Sequence, residues 1–147
     1  MWRFFLGLVL GLLLAGQSFG LSGVVGHGGT YAPMAFSASV FAIMTDLGPI
    51  IPLVATPFLW AFYFLLIPQI ETFRMKTCLL VAVLLLHLLT GTWAVFDDDR
   101  GVARALHDQA GAVLVFFVLL LAAVGLLIYL TFRRSAALEP TDFRGRL

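Results

Sequence analysis

The sequence predicts an all-α integral membrane protein with four membrane-spanning helices and one additional short helix. The chain is 61% hydrophobic and only 12% charged, with a mean hydropathy of +1.03, whereas soluble domains typically contain about 25% charged residues. A chain of 147 residues is too small to bury this much apolar surface inside itself. The apolar residues also fall into long runs separated by short polar or glycine-rich segments, as membrane spans do.

Four apolar runs come close to the roughly 20 residues that a helix needs to cross a bilayer. They cover approximately residues 4–25, 49–67, 76–96 and 103–132, and we assign residues 1–133 to one transmembrane domain. Arg3 followed by an apolar run is also typical of a secretory signal peptide. We expect this first run to be kept as a span.

The segment between the first two spans contains one more predicted helix. Residues 31–68 carry a single charge, Asp46, and are too many for one straight span. Pro49 suits the first turn of a new helix, so a short helix at residues 33–45 should precede the second span. This short helix either lies in the outer interface, with Asp46 as its cap, or re-enters the membrane, where Asp46 could line a path. The second span should bend near Pro57.

The distribution of cations predicts the orientation in the membrane. Excess Lys and Arg mark the cytoplasmic side, which places both ends of the chain in the cytoplasm of a bacterial-type inner membrane, with residues 134–147 as a cytoplasmic tail. The other side receives only Arg100 and Arg104. The cytoplasmic side receives seven of the nine cations: Arg3, Arg74, Lys76, Arg133, Arg134, Arg144 and Arg146.

The aromatic residues near the span ends are expected at the two membrane interfaces. They are Trp2, Trp60, Tyr63, Trp93 and Tyr129.

His87 is the ionisable residue predicted to lie deepest in the membrane, in the middle of the third span. Such a residue is a candidate functional site. One interpretation is structural, with a neutral imidazole bonded to Thr90, Thr56 or a backbone carbonyl. Two alternatives are a ligand to haem b or a pigment and a step on a proton or substrate path.

Small residues in the first span predict close helix packing. Helices in lipid associate where small side chains let their backbones approach. One stripe contains Gly7, Gly11 and Ala15, and a second contains Gly16 and Gly20. The two stripes indicate two close neighbours for this span, within the bundle or in another subunit.

The start of the fourth span resembles a known group of membrane haem proteins. Residues 107–111 (HDQAG) before an apolar helix, together with residues 90–93 (TGTW), resemble the helix starts of the bacterial cytochrome b561 group. The resemblance implies haem b bound by membrane histidines, here His87 and His107. However, the first two spans contain no histidine, and His87 lies about 13 Å deeper than His107 by helical rise. A haem shared by His87 of two chains remains open.

Other chemistry finds little support in the sequence. Cys78 is the single cysteine, which excludes an internal disulfide and a site of several thiolates. There is no HExxH, P-loop or GxSxG motif. The net charge of +1 does not suit a nucleic-acid partner. Possible metal ligands on the outer side have no diagnostic spacing, and we predict no metal site from them: His27, Met34, Met44, Asp46, Asp97, Asp98, Asp99, His107 and Asp108.

These observations predict a non-catalytic accessory or scaffolding subunit of a larger membrane complex. The complex is expected to transduce energy by respiratory or photosynthetic electron transfer, and the partners are lipid and other membrane subunits. One alternative is a haem b redox protein that uses His87. Another is a small channel or transporter with Asp46 and His87 on its path.

Overall fold

A computed structural model describes residues 1–25, 36–38, 50–97 and 110–136, and these residues are helical apart from short connections. Four long helices follow in chain order: α1 (Trp2–Val25), α2 (Ile50–Leu66), α3 (Phe73–Asp97) and α4 (Ala110–Ala136). A 3₁₀ turn at Ile67–Gln69 extends α2, and residues 36–38 form a single helical turn. The predicted all-α class is therefore confirmed.

Three of the four helices are long and apolar enough to cross a membrane, namely Trp2–Leu21, Phe73–Thr92 and Ala110–Arg133. The second helix has a shorter apolar stretch, Leu53–Gln69. The described part of the chain is thus compatible with a membrane location through three helices.

The helix ends differ in detail from the predicted limits. α3 begins at Phe73, three residues before the predicted limit at residue 76, so its first turn contains Arg74 as well as Lys76. The backbone N–H of Lys76 donates to the Thr72 carbonyl at 3.0 Å, which closes this first turn. α4 continues to Ala136, into the segment predicted as a tail.

Several predicted features lie outside the described residues. They are Asp46, His107, residues 103–109, residues 137–147 and the predicted short helix at 33–45 apart from residues 36–38. The bend near Pro57 stays a prediction, although Pro57 does lie inside the continuous helix α2.

α1 and α2 form the most extensive helix pair in the described structure. Their backbones approach closely because Gly7 and Gly11 have no side chain. A Cβ atom at Gly7 would lie 2.6 Å from the carbonyl oxygen of Trp60, and one at Gly11 would lie 2.6 Å from the Cα of Pro57. Ala15 continues this ridge and is buried. This contact fixes α2 against α1 and sets the position of Trp60.

The core lies between the four helices, while their outer faces are apolar. Leu14, Phe64, Phe116 and Leu127 form part of one buried cluster. On the outside, large apolar side chains are exposed along every helix, for example Leu89 of α3 at 67%. Lipid is the solvent in which such a surface is stable.

Candidate functional site around His87

Residues 36–38 form the centre of the candidate site because they contact all four helices. Ser37 and Ala38 are buried at 1% and 0% exposure. Hydrogen bonds join this turn to α1, α2 and α3, and the ring of Phe36 meets that of Phe117 in α4 at a centroid distance of 5.7 Å. These three residues, which lie between α1 and α2 in sequence, thus lie among the helices in space.

His87 connects α3 to this turn. Its side chain is 6% exposed, and its Nδ1 lies 2.6 Å from the carbonyl oxygen of Phe36. A carbonyl oxygen can only accept a hydrogen bond, so Nδ1 must carry the hydrogen. In the neutral ring this assignment leaves Nε2 as the unprotonated nitrogen, with a lone pair that can accept a proton or a hydrogen bond.

The second ring nitrogen of His87 is enclosed. Nε2 is buried and has no hydrogen-bond partner within the part of the chain that the structure describes. The Trp60 ring is tilted beside the imidazole at a centroid distance of 5.7 Å, and the Tyr63 ring meets it edge-on at 5.8 Å. His87 therefore has one nitrogen engaged as a donor and one buried among aromatic rings.

Trp60 anchors the same turn from α2. It is fully buried, and its Nε1 donates to the carbonyl oxygen of Ser37 at 2.9 Å. Trp60 packs against Gly7 and Gly11 of α1, so it lies between the helices, and its expected place at a membrane interface stays a prediction. Trp2 and Tyr129 differ, since both are exposed and lie beside the cations Arg3 and Arg133.

Ser18 provides the contact from α1. Its hydroxyl donates to the Leu14 carbonyl at 2.7 Å and lies 3.1 Å from the Ser37 hydroxyl. Because the Ser18 hydrogen is directed to Leu14, Ser37 is the donor in the second bond. Two buried hydroxyls thereby form a hydrogen bond with each other inside the bundle.

Thr90 lies near His87 but does not bind its ring in any bond described. The Thr90 hydroxyl donates to the Leu86 carbonyl at 2.7 Å and to the His87 carbonyl at 3.3 Å. Among the partners expected for a structural His87, the one that occurs is a backbone carbonyl, that of Phe36.

Gly91 makes room for Phe36. A Cβ atom at this position would overlap the Phe36 ring. Gly91 is buried one helical turn after His87. The same side of α3 therefore carries the Nδ1–H donor of His87 and the space that the Phe36 ring occupies at Gly91. The two features together hold both the backbone and the side chain of Phe36.

The enclosure of His87 does not fit a haem. An axial histidine must present a ring nitrogen to iron beside an open slot for the flat macrocycle, but Nε2 is covered and Trp60 and Tyr63 lie against the ring. The bond from Nδ1 to a carbonyl is one that metal-binding histidines do make. The position of Nε2 nevertheless leaves no room for the cofactor.

The other predicted residues divide into two groups. Gly7 and Gly11 face α2 and Ala15 is buried, whereas Gly16 and Gly20 are exposed, with no described atom within 4 Å of the place where a Cβ would lie. The second stripe therefore packs against no described element of this chain. Cys78 is exposed, and the described residues contain no group of three or more potential metal ligands.

Sequence reasoning missed most residues that surround His87. Phe36 takes part through its carbonyl, which no side-chain pattern can indicate. Ser18 and Gly91 could have been noticed as a polar and a small residue inside apolar spans. The partner of each still depends on the fold.

No protein-family model, curated protein or solved structure matches this chain. Its function is therefore inferred from the geometry of the His87 site and from the outer surface of the helices.

Proposed function

We propose that this protein is a non-catalytic accessory or scaffolding subunit of a larger membrane complex. One observation carries the proposal: the described polar groups at mid-helix hold the bundle together, while Gly16 and Gly20 on the outer face of α1 have no neighbour within 4 Å among the described residues. His87, Trp60 and Ser18 all bind residues 36–38. Polar groups used in this way support a structural role, whereas a path or a catalytic centre needs groups open to substrate.

The proposal includes four spans, with α2 as the second. Its 17 residues give a length of about 26 Å, and the 3₁₀ turn at Ile67–Gln69 adds about 6 Å. The sum is close to the roughly 30 Å of a bilayer core. With four spans both ends lie on the same side, and we propose the cytoplasmic side of a bacterial-type inner membrane because seven of the nine cations fall on that side.

We also propose that the segment containing residues 36–38 re-enters the membrane. His87 lies about midway along α3, and Phe36 binds it directly. The unpaired backbone groups at the ends of a short helical turn are tolerated at membrane depth where protein buries them, and Ser37 and Ala38 are buried. These contacts favour re-entry over a helix lying flat at the interface.

The outer face of α1 is the surface proposed to meet another subunit. Gly16 and Gly20 are exposed one turn apart, with Phe19 exposed at 54% beside them. Small residues allow a neighbouring helix to approach closely, and dispersion contacts with large neighbours then stabilise the pair. An apolar bundle of this kind suits a subunit that fills space between helices, lipids or pigments of an electron-transfer complex.

The test is gentle affinity purification from native membranes, followed by mass spectrometry and a visible absorption spectrum on the same fraction. We expect stoichiometric membrane partners with the wild-type chain and their loss with the double variant Gly16→Leu, Gly20→Leu. Gly125→Leu is the matched control, because Gly125 of α4 is also exposed with nothing within 4 Å of a built Cβ.

A wild-type chain that purifies alone would overturn the subunit proposal. A haem band in that lone chain would favour the redox protein, whereas a colourless sample would leave transport to be tested in liposomes with His87→Leu and Asp46→Asn. Partners retained by the double variant would place the docking surface elsewhere on the bundle.

A further inference from the structure

We propose that His87 is a proton-operated latch that holds residues 36–38 between the helices when neutral and releases them when protonated. The proposal starts from the two ring nitrogens. Nδ1 donates to the Phe36 carbonyl, while Nε2 is buried and accepts no hydrogen bond from any described residue. Nε2 is thus the atom that takes up a proton.

Protonation turns an unused acceptor at this site into a charged donor that has no described acceptor. In the imidazolium both nitrogens carry hydrogens and neither can accept. The Nδ1–H bond to Phe36 survives, but the new Nε2–H is a buried charged donor without an acceptor among the described residues. Burial of such a group is strongly unfavourable, more so than burial of the neutral ring.

The groups that face His87 offer little compensation for the charge. α2 presents Trp60 and Tyr63, and the turn presents the Phe36 carbonyl, which is already in use. Tyr63 is the titratable group among them. The aromatic rings can stabilise a cation only partly, through cation–π contacts.

Charged side chains of the other described segments lie far along the helices. Glu71 precedes α3 and is exposed, while Arg74 and Lys76 belong to the first turn of α3. Arg3 and Arg133 lie near the start of α1 and the end of α4. None of them is positioned to receive a hydrogen from Nε2 in the described structure.

The direction of the pH effect follows from linkage. Release removes the protein cover that leaves a charge at Nε2 without a described acceptor, so the protonated ring is tolerated better in the released state than in the closed one, and acid therefore favours release. Release breaks three contacts together, because residues 36–38 are consecutive. These contacts are the hydrogen bond from His87 to Phe36, the hydrogen bond from Trp60 to Ser37, and the packing of the Phe36 ring at Gly91.

The test uses the fluorescence of Trp60, which contacts both His87 and Ser37. Trp2→Phe and Trp93→Phe make Trp60 the single tryptophan of the chain. The full chain is placed in lipid nanodiscs, and acrylamide quenching is measured between about pH 8 and about pH 5, the range in which histidine titrates. Acrylamide is uncharged, so its access reports on the opening of the site.

We expect quenching of Trp60 to increase at least about twofold on acidification, and this increase to vanish in His87→Gln. A glutamine amide can still donate to the Phe36 carbonyl but does not titrate. His27→Gln and His107→Gln change the other two histidines and should keep the response. Constant quenching in the parent would overturn the latch even if His87→Gln failed to fold, and a response that persists in a folded His87→Gln would also overturn it.

Discussion

The imidazole of His87 and the backbone carbonyl of Phe36, 51 residues apart in the sequence, are joined by a hydrogen bond of 2.6 Å. This bond ties the middle of α3 to a turn that α1 and α2 also hold through Ser18 and Trp60. The polar residues buried at this level therefore act as one connected group.

His87→Leu should destabilise the bundle more than His87→Gln. Leucine leaves the Phe36 carbonyl without its donor, and a buried acceptor without a partner costs about 1–3 kcal/mol. Glutamine keeps an N–H donor of similar reach, so most of this stability should return. The measurement is the midpoint of SDS-induced unfolding in mixed micelles near pH 8. Equal midpoints for the two variants would show that the bond contributes nothing.

Gly7→Ala and Gly11→Ala should each destabilise the contact between α1 and α2. The added methyl group would meet backbone atoms of α2 at distances down to 2.6 Å, and overpacking of this kind costs about 1–3 kcal/mol. The thermal midpoint of the purified chain in detergent measures the effect. Gly20→Ala is the control, since it has nothing within 4 Å, and should stay within about 0.5 kcal/mol of the wild type. A Gly7→Ala variant as stable as this control would contradict the close helix pair.

Gly91→Ala should displace Phe36 and loosen the turn at residues 36–38. The methyl group would occupy the space of the Phe36 ring, and we expect a loss of about 1–3 kcal/mol of stability. Trp60 should also become more accessible to acrylamide near pH 8, because its acceptor is the carbonyl of the next residue, Ser37. Gly111→Ala in α4 has nothing within 4 Å and is the matched control. Unchanged quenching in Gly91→Ala would mean that the ring does not position the turn.

The proposed orientation predicts that residue 98 faces the outside of the cell. Asp98→Cys, in a chain whose exposed Cys78 is replaced by alanine, should react with a membrane-impermeant maleimide added to intact spheroplasts. Leu147→Cys should react only after lysis, because the positive-inside rule places the C-terminus in the cytoplasm. The reverse labelling pattern would overturn the orientation together with the assignment of the outer segments.

The sequence alone determined the helical class and the approximate helix positions. The length of a hydrophobic run is a local property of the sequence, and a run long enough to cross the bilayer forms a helix there because lipid offers its backbone no hydrogen bonds. It also identified His87 as a buried polar residue, and it indicated that small residues of α1 mediate packing. α1 and α3 lie within a few residues of their predicted limits.

Only the tertiary structure decided what these residues contact. Gly7 and Gly16 are the same residue type on one helix, yet one meets the backbone of α2 and the other faces outward. Trp60 resembles an interfacial tryptophan in the sequence but is buried, because the glycines of α1 bring α2 close. The hydrogen-bond acceptor of His87 is a backbone carbonyl, and every residue of the chain has a backbone carbonyl. Which carbonyl it meets depends on the path of the chain through space, which no local pattern of side chains contains.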